Sequence, residues 1–245
     1  MSVEQVGVLM GFPDPLAASP ERCRSVLAGS VPPEDLCPSL REYCFVKGVF
    51  GPPALPVPAA GWIDGLFQAL KPHRFAHSLS VAWTAKVLAR RFALDERRAE
   101  EAGLLHDCAK CLPLPEMQRI AREHHLTEDE ALLASGALLH SVVGAQVAQD
   151  RYGMRDPEVL DAIICHNTGL PGMSRLSMCV SLADYIEPNR ESFPLLEEVR
   201  ALAETSLEKA LLLSLENTAD YVLSRGKYLH PRTRDTIEWL KTVID

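Results

Sequence analysis

Positive charge is in short supply: the 245 residues carry 25 Lys+Arg against 33 Asp+Glu, a formal charge of −8. Nucleic-acid binding needs Lys and Arg to neutralise many phosphates, so the deficit argues against a long polyanion as partner. Any anionic ligand must be held by a local cluster or by metal ions. A basic stretch followed by an apolar one is missing from the opening Met1-Ser-Val-Glu-Gln-Val-Gly, and no secretory signal is expected. No apolar run suits a membrane span. The longest uncharged stretch, between Glu130 and Asp150, contains Ser135, Gly136, His140, Ser141, Gly144 and two Gln, and reads as a buried helix. Seven Cys, an odd number on a long chain, favour free thiols in a reducing cytoplasm over disulfides. Internal repeats and low-complexity tracts are also absent, and runs of alternating β-branched residues are few from Trp62 onward.

What remains is a 47% hydrophobic chain long enough for one large domain with an appendage. The stretch Gly51-Pro-Pro-Ala-Leu-Pro-Val-Pro-Ala-Ala-Gly61 holds four Pro and is expected to be a linker, 52–61, through which no helix runs. It separates an N-terminal appendage, 1–51, from a body, 62–245, whose apolar residues recur at helical spacing. The body is expected to be all-α.

Several helix ends are legible. One helix begins near Pro72. A second follows Asp95 as N-cap, with Arg98 at N3, and extends toward Lys110. Asp156-Pro157 pairs an N-cap with a first-turn Pro, and that helix is expected to stop between His166 and Gly169. Pro188 closes another, and one long helix is expected from about Pro194 to Gly226.

Chemistry enters through polar residues set in apolar helical runs. His106-Asp107 interrupts Ala-Gly-Leu-Leu-His-Asp-Cys-Ala-Lys; His77, His140, His166 and Asp184 do the same in four other runs. Burying such groups without partners is costly. A single His of this kind is ordinarily a satisfied core residue, and His166 alone reads as a helix C-cap. Five such positions on five helices are better explained as a metal site built from inward-facing His and carboxylates.

Cys108-Ala-Lys-Cys111 lacks a second pair at zinc-ribbon spacing and reads as core thiols. His124-His125 lies among charged residues and is expected to be exposed. No Ser sits in a Gly-x-Ser-x-Gly elbow, so a serine nucleophile is not expected.

In order, Arg74-Phe-Ala-His77, Ala102-Gly-Leu-Leu-His-Asp-Cys-Ala-Lys110, Leu139-His-Ser-Val-Val-Gly-Ala145, His166-Asn-Thr-Gly169 and Leu182-Ala-Asp-Tyr-Ile-Glu-Pro-Asn-Arg190 resemble the HD-domain metal-dependent phosphohydrolases. Within them they look like the YqeK-like branch, the symmetrical diadenosine tetraphosphate hydrolases. The resemblance covers about Trp62 to the C-terminus. It implies an all-α HD-domain helical bundle with two metal ions. His77, His106, Asp107 and Asp184 would hold one, and Asp107 would bridge to a second held by His140 and His166. Imidazole and carboxylate ligands suit iron, divalent or trivalent, and the same set could hold Mn, Co, Ni or Zn. A metal-activated water would cleave a small nucleotide, diadenosine tetraphosphate, to two ADP.

Arg74 and Lys110 stand three residues from His77 and Asp107, on roughly the same helix faces, and Arg190 follows the Asp184 helix. These cations, with Thr168 and Gly169, are the expected phosphate or sugar contacts, and Asp107 and Lys110 the expected catalytic residues. Two alternatives stay open: an HD phosphatase or phosphodiesterase for another nucleotide, and a non-catalytic nucleotide-binding regulator. A homodimer also stays open.

The N-terminal segment from Cys23 to Gly51 resembles the C-terminal tail of nicotinate-mononucleotide adenylyltransferases. It lacks that family's His-x-Gly-His element, so adenylyltransferase activity is not expected.

Overall fold

The computed structural model describes residues 57–244, and the expected appendage, 1–51, lies outside them. Among the described residues there are helices and no strands. In chain order these are α1 (Val57–Ala69), α2 (Pro72–Arg91), α3 (Glu96–Leu105), α4 (Leu114–Glu123), α5 (Glu130–Leu133), α6 (Gly136–Tyr152), α7 (Pro157–Cys165), α8 (Arg175–Ile186), α9 (Leu196–Leu202), α10 (Leu207–Ser224) and α11 (Pro231–Ile244). None is long and apolar enough to cross a membrane.

The caps follow the sequence. Asp95 accepts from the Arg98 N–H at 3.0 Å, and Asp156 accepts from the Glu158 N–H at 3.1 Å with Pro157 behind it. Arg98 then reaches across to Asp156 and Glu158, at 2.8 and 2.6 Å, and ties the start of α3 to the start of α7.

A helix begins inside the expected linker, 52–61, without running through it. α1 begins at Val57 and takes in Pro58, because a first-turn Pro gives up an N–H that has no intrahelical partner anyway. The long helix expected from Pro194 to Gly226 is two. α9 stops at Leu202, and Ser206 caps α10 by accepting from the Lys209 N–H at 3.2 Å. The second helix also ends sooner than expected: α3 closes at Leu105, and residues 106–111 form turns, so the His106-Asp107 dyad stands at a helix end.

α8 lies at the centre, packed against α2, α3, α7 and α10, while α6 packs on α4 and α7. The core runs through Phe75, Leu79, Leu105, Leu139, Ile163 and Leu182, all essentially without solvent exposure. The α2–α3 contact is set by Gly103: a Cβ there would stand 2.9 Å from Ala82 Cα and 3.0 Å from the Val81 carbonyl, so only glycine lets the two backbones meet. That approach brings the end of α3 onto His77.

Candidate metal centre

Five elements deliver one cluster. His77 projects from the N-terminal half of α2, His106 and Asp107 from the end of α3, His140 from α6, His166 from the end of α7 and Asp184 from α8. The four His and Asp107 are buried; Asp184 is partly exposed. Donor atoms within 4.8 Å of one another form three overlapping sets: His77–His106–Asp107, His106–His166–Asp184 and Asp107–His140–His166.

Two of the rings are aimed by their own helices. His106 and His166 are both C-cap residues, where the last carbonyls of a helix have no intrahelical donor. Each ring uses Nδ1–H to fill one of them, to the Gly103 and Ile163 carbonyls, both at 2.7 Å. That bond fixes the tautomer and leaves the Nε2 lone pairs facing the cluster. His140 Nε2 lies 3.1 Å from Asp107 Oδ1, and His166 Nε2 lies 3.7 Å from it.

Three of the five buried side-chain N or O atoms that make no hydrogen bond among the described residues are here: His77 Nε2, His106 Nε2 and Asp107 Oδ1. His77 Nε2 sits 2.9 Å from Asp184 Oδ1, too close to be unrelated and not aligned as a hydrogen bond. Orphaned donor atoms converging in a dry interior are costly without a cation, so the set fits a metal.

Protonation agrees. Burial drives His140 and His166 down to about 4 and lowers His106 as well, so these imidazoles are neutral. Burial raises Asp107, but His106, His140 and Lys110 outweigh it and hold that carboxyl well below its ordinary range. Asp184 is held down in the same way by His77, His106 and Arg190. Burial lowers His77, yet its contacts with Asp184 and Glu187 prevail and lift it to about 9.

Three expected cations stand at the rim. Arg74 Nη1 donates to Asp107 Oδ2 at 3.1 Å. Lys110 Nζ is 2.9 Å from His140 Nε2 and 3.6 Å from Asp107 Oδ1. Arg190 Nη2 donates to Asp184 Oδ1 at 2.6 Å and to its backbone carbonyl at 2.7 Å. Thr168 and Gly169 make local contacts. The Thr168 hydroxyl is buried and donates to the Gly169 carbonyl, and the Gly169 N–H closes α7 on the Cys165 carbonyl. The Gly169 N–H therefore closes the helix, and the Thr168 hydroxyl makes a local bond just beyond it. The Cys108 thiol donates to the Gly144 carbonyl, outside the cluster, and His124 and His125 are exposed as expected.

Two features had escaped the sequence reading. Glu187, just past α8, is buried and lies 3.2 Å from His77 Nδ1. A cleft of about 710 Å³ opens beside His166, Asp184 and Arg190, walled by Tyr185, Phe193, Asn217 and Tyr221. The acidic residue three positions after Asp184 was a signal for the first. The cleft joins residues of α8, α10 and the intervening loop and had none.

An all-helical bundle enclosing a His/Asp cluster at a His-Asp dyad defines an HD domain, and the family model described as "HD domain" matches residues 74–189. The chain is 42% identical over 177 residues to the symmetrical bis(5'-nucleosyl)-tetraphosphatase of Bacillus subtilis (strain 168), covering 71% of this chain and 92% of that one. It is 40% identical over 177 residues to the protein of the same name from Halalkalibacterium halodurans, covering 71% and 94%. A crystal structure from Clostridium acetobutylicum, described as an HD superfamily hydrolase involved in NAD metabolism, matches with a TM-score of 0.72 and 38% identity over 75% of this chain and 97% of that one. The chain belongs to the family of symmetrical bis(5'-nucleosyl)-tetraphosphatases.

Proposed function

We propose that this chain hydrolyses diadenosine tetraphosphate symmetrically to two ADP at a two-metal centre. The observation that carries the reading is Asp107: its carboxylate belongs to two donor sets at once, His77–His106–Asp107 and Asp107–His140–His166, in a chain whose relatives bear that activity in their names. Asp184 Oδ1, 2.9 Å from His77 Nε2 and 3.9 Å from His106 Nε2, is assigned as the fourth donor of the first ion. Among the donors there is no thiolate, and imidazole with carboxylate suits iron, with Mn, Co, Ni or Zn able to take the same positions. Such a centre supplies an activated water near neutral pH and positive charge for phosphate oxygens.

The chain's own groups do the rest. Arg74, Lys110 and Arg190 are partly exposed around the centre, each resting on a carboxylate or an imidazole that a polyphosphate oxygen can replace. They position the chain of phosphates and support the charge developing on the departing ADP. The adjoining cleft, apolar on Phe193 and Tyr185 and polar at Asn217, suits a nucleoside. The described cysteines are free, in keeping with a cytoplasmic enzyme.

Elemental analysis of the purified protein, with a panel of dinucleoside polyphosphates and mononucleotides ranked by kcat/KM, tests the proposal. Diadenosine tetraphosphate ranks first, and a chelator removes the activity. Higher kcat/KM for a mononucleotide would reassign the substrate, and metal with no turnover of any nucleotide would leave a binding protein.

A further inference from the structure

His77 differs from His106 and His166 in what could orient it. His106 and His166 stand at helix ends, and each anchors Nδ1 on an orphan carbonyl three residues back. His77 is inside α2, where the preceding carbonyls already serve the helix ladder. No local group can fix its tautomer or its ring plane.

A distant group does so. Glu187 Oε1 lies 3.2 Å from His77 Nδ1, 110 residues away in sequence, and the carboxylate is almost fully buried. Its other oxygen, Oε2, accepts from the Asn189 N–H at 2.6 Å. The backbone under it is pinned as well: Arg200 donates from Nε to the Ile186 carbonyl at 3.1 Å and from Nη2 to the Glu187 carbonyl at 3.0 Å. A buried carboxylate with one oxygen held by a backbone N–H, its backbone pinned by Arg200 and its other oxygen directed at an imidazole, is built to hold that imidazole.

We propose that Glu187 is the positioning residue of His77, keeping Nδ1 protonated so that Nε2 is presented as a metal donor. The inference rests on the metal reading of His77 above. The carboxylate–imidazole pair raises the donor strength of Nε2, and the same turn carries Arg190, so one buried anion sets both a metal donor and the approach of a rim cation.

The test uses the full chain, stripped of metal and titrated with Mn²⁺ alone, and then loaded with Co²⁺ for its visible absorption. Glu187→Gln keeps the shape and removes the charge. It is expected to weaken Mn²⁺ binding by about 10-fold or more and to shift the Co²⁺ bands. Glu187→Asp, which keeps the charge, is expected to recover part of the affinity, a rescue that a merely space-filling role would not produce. Wild-type affinity and an unchanged Co²⁺ spectrum in Glu187→Gln, while His77→Ala loses Mn²⁺, would overturn the role of Glu187 alone. Wild-type Mn²⁺ affinity in His77→Ala would overturn the metal reading on which it rests.

Discussion

Nε2 of His140 and Nε2 of His166 approach to 3.1 Å beside the buried Oδ1 of Asp107, although the two residues come from α6 and α7 and are 26 positions apart. Lys110 Nζ stands 2.9 Å from the same His140 nitrogen, held there by a carboxylate and an imidazole. The ammonium thus marks the edge of the donor set without belonging to it.

Lys110→Met is therefore expected to retain metal and lose turnover. Removing one cation that supports developing phosphate charge costs on the order of 10²-fold in kcat. Metal analysis beside steady-state kinetics checks this; loss of metal in Lys110→Met would make Lys110 part of the structure of the centre.

The metal-free protein should be most stable near pH 6.5. His77, raised to about 9 in the fold, contributes stability that is complete below its ordinary value near 6.5 and is lost as pH rises through about 9. His140 and His166, lowered to about 4, contribute stability that is complete above about 6.5 and is lost as pH falls toward 4. Thermal melts in chelator from pH 4 to 10 trace both limbs, and His77→Gln is expected to flatten the alkaline one. Metal binding must displace the His77 proton, so affinity falls as pH drops below about 9.

Burial pushes the thiols of Cys108 and Cys179 up to about 12 and that of Cys165 up to about 11. With iodoacetamide at pH 8, the partly buried Cys111 is expected to be modified ahead of all three, which react only on unfolding. Mass spectrometry of the peptides reads the order.

Gly103→Ala is expected to destabilise the domain by about 1–3 kcal/mol, since the added Cβ meets backbone atoms of α2 that no side-chain rotation can move aside. A lowered Tm measures it. Because Gly103 also supplies the carbonyl that holds His106, metal affinity should fall with it.

The donors were legible because each is a polar residue where an apolar helical stripe should continue, a local anomaly repeated on five elements. The break at 203–206 was not, because Ala203-Glu204-Thr205 contains neither Gly nor Pro and the apolar period runs on across it. The early end of α3 was hidden likewise, by apolar residues on both sides of His106-Asp107. A hydroxyl and a glycine amide after a ligand look available in the sequence; in the fold the Gly169 N–H closes α7 and the Thr168 hydroxyl bonds to the Gly169 carbonyl. The acidic residue after Asp184 was visible, but its partnership with His77 depends on the meeting of α2 with the end of α8, a tertiary fact.

The central claim is most directly tested by the products of metal-loaded protein acting on diadenosine tetraphosphate, with Asp107→Ala alongside. The account predicts ADP as the sole product, and a loss on the order of 10³-fold or more in Asp107→Ala together with its metal. AMP plus ATP, or undiminished turnover in Asp107→Ala, would contradict it.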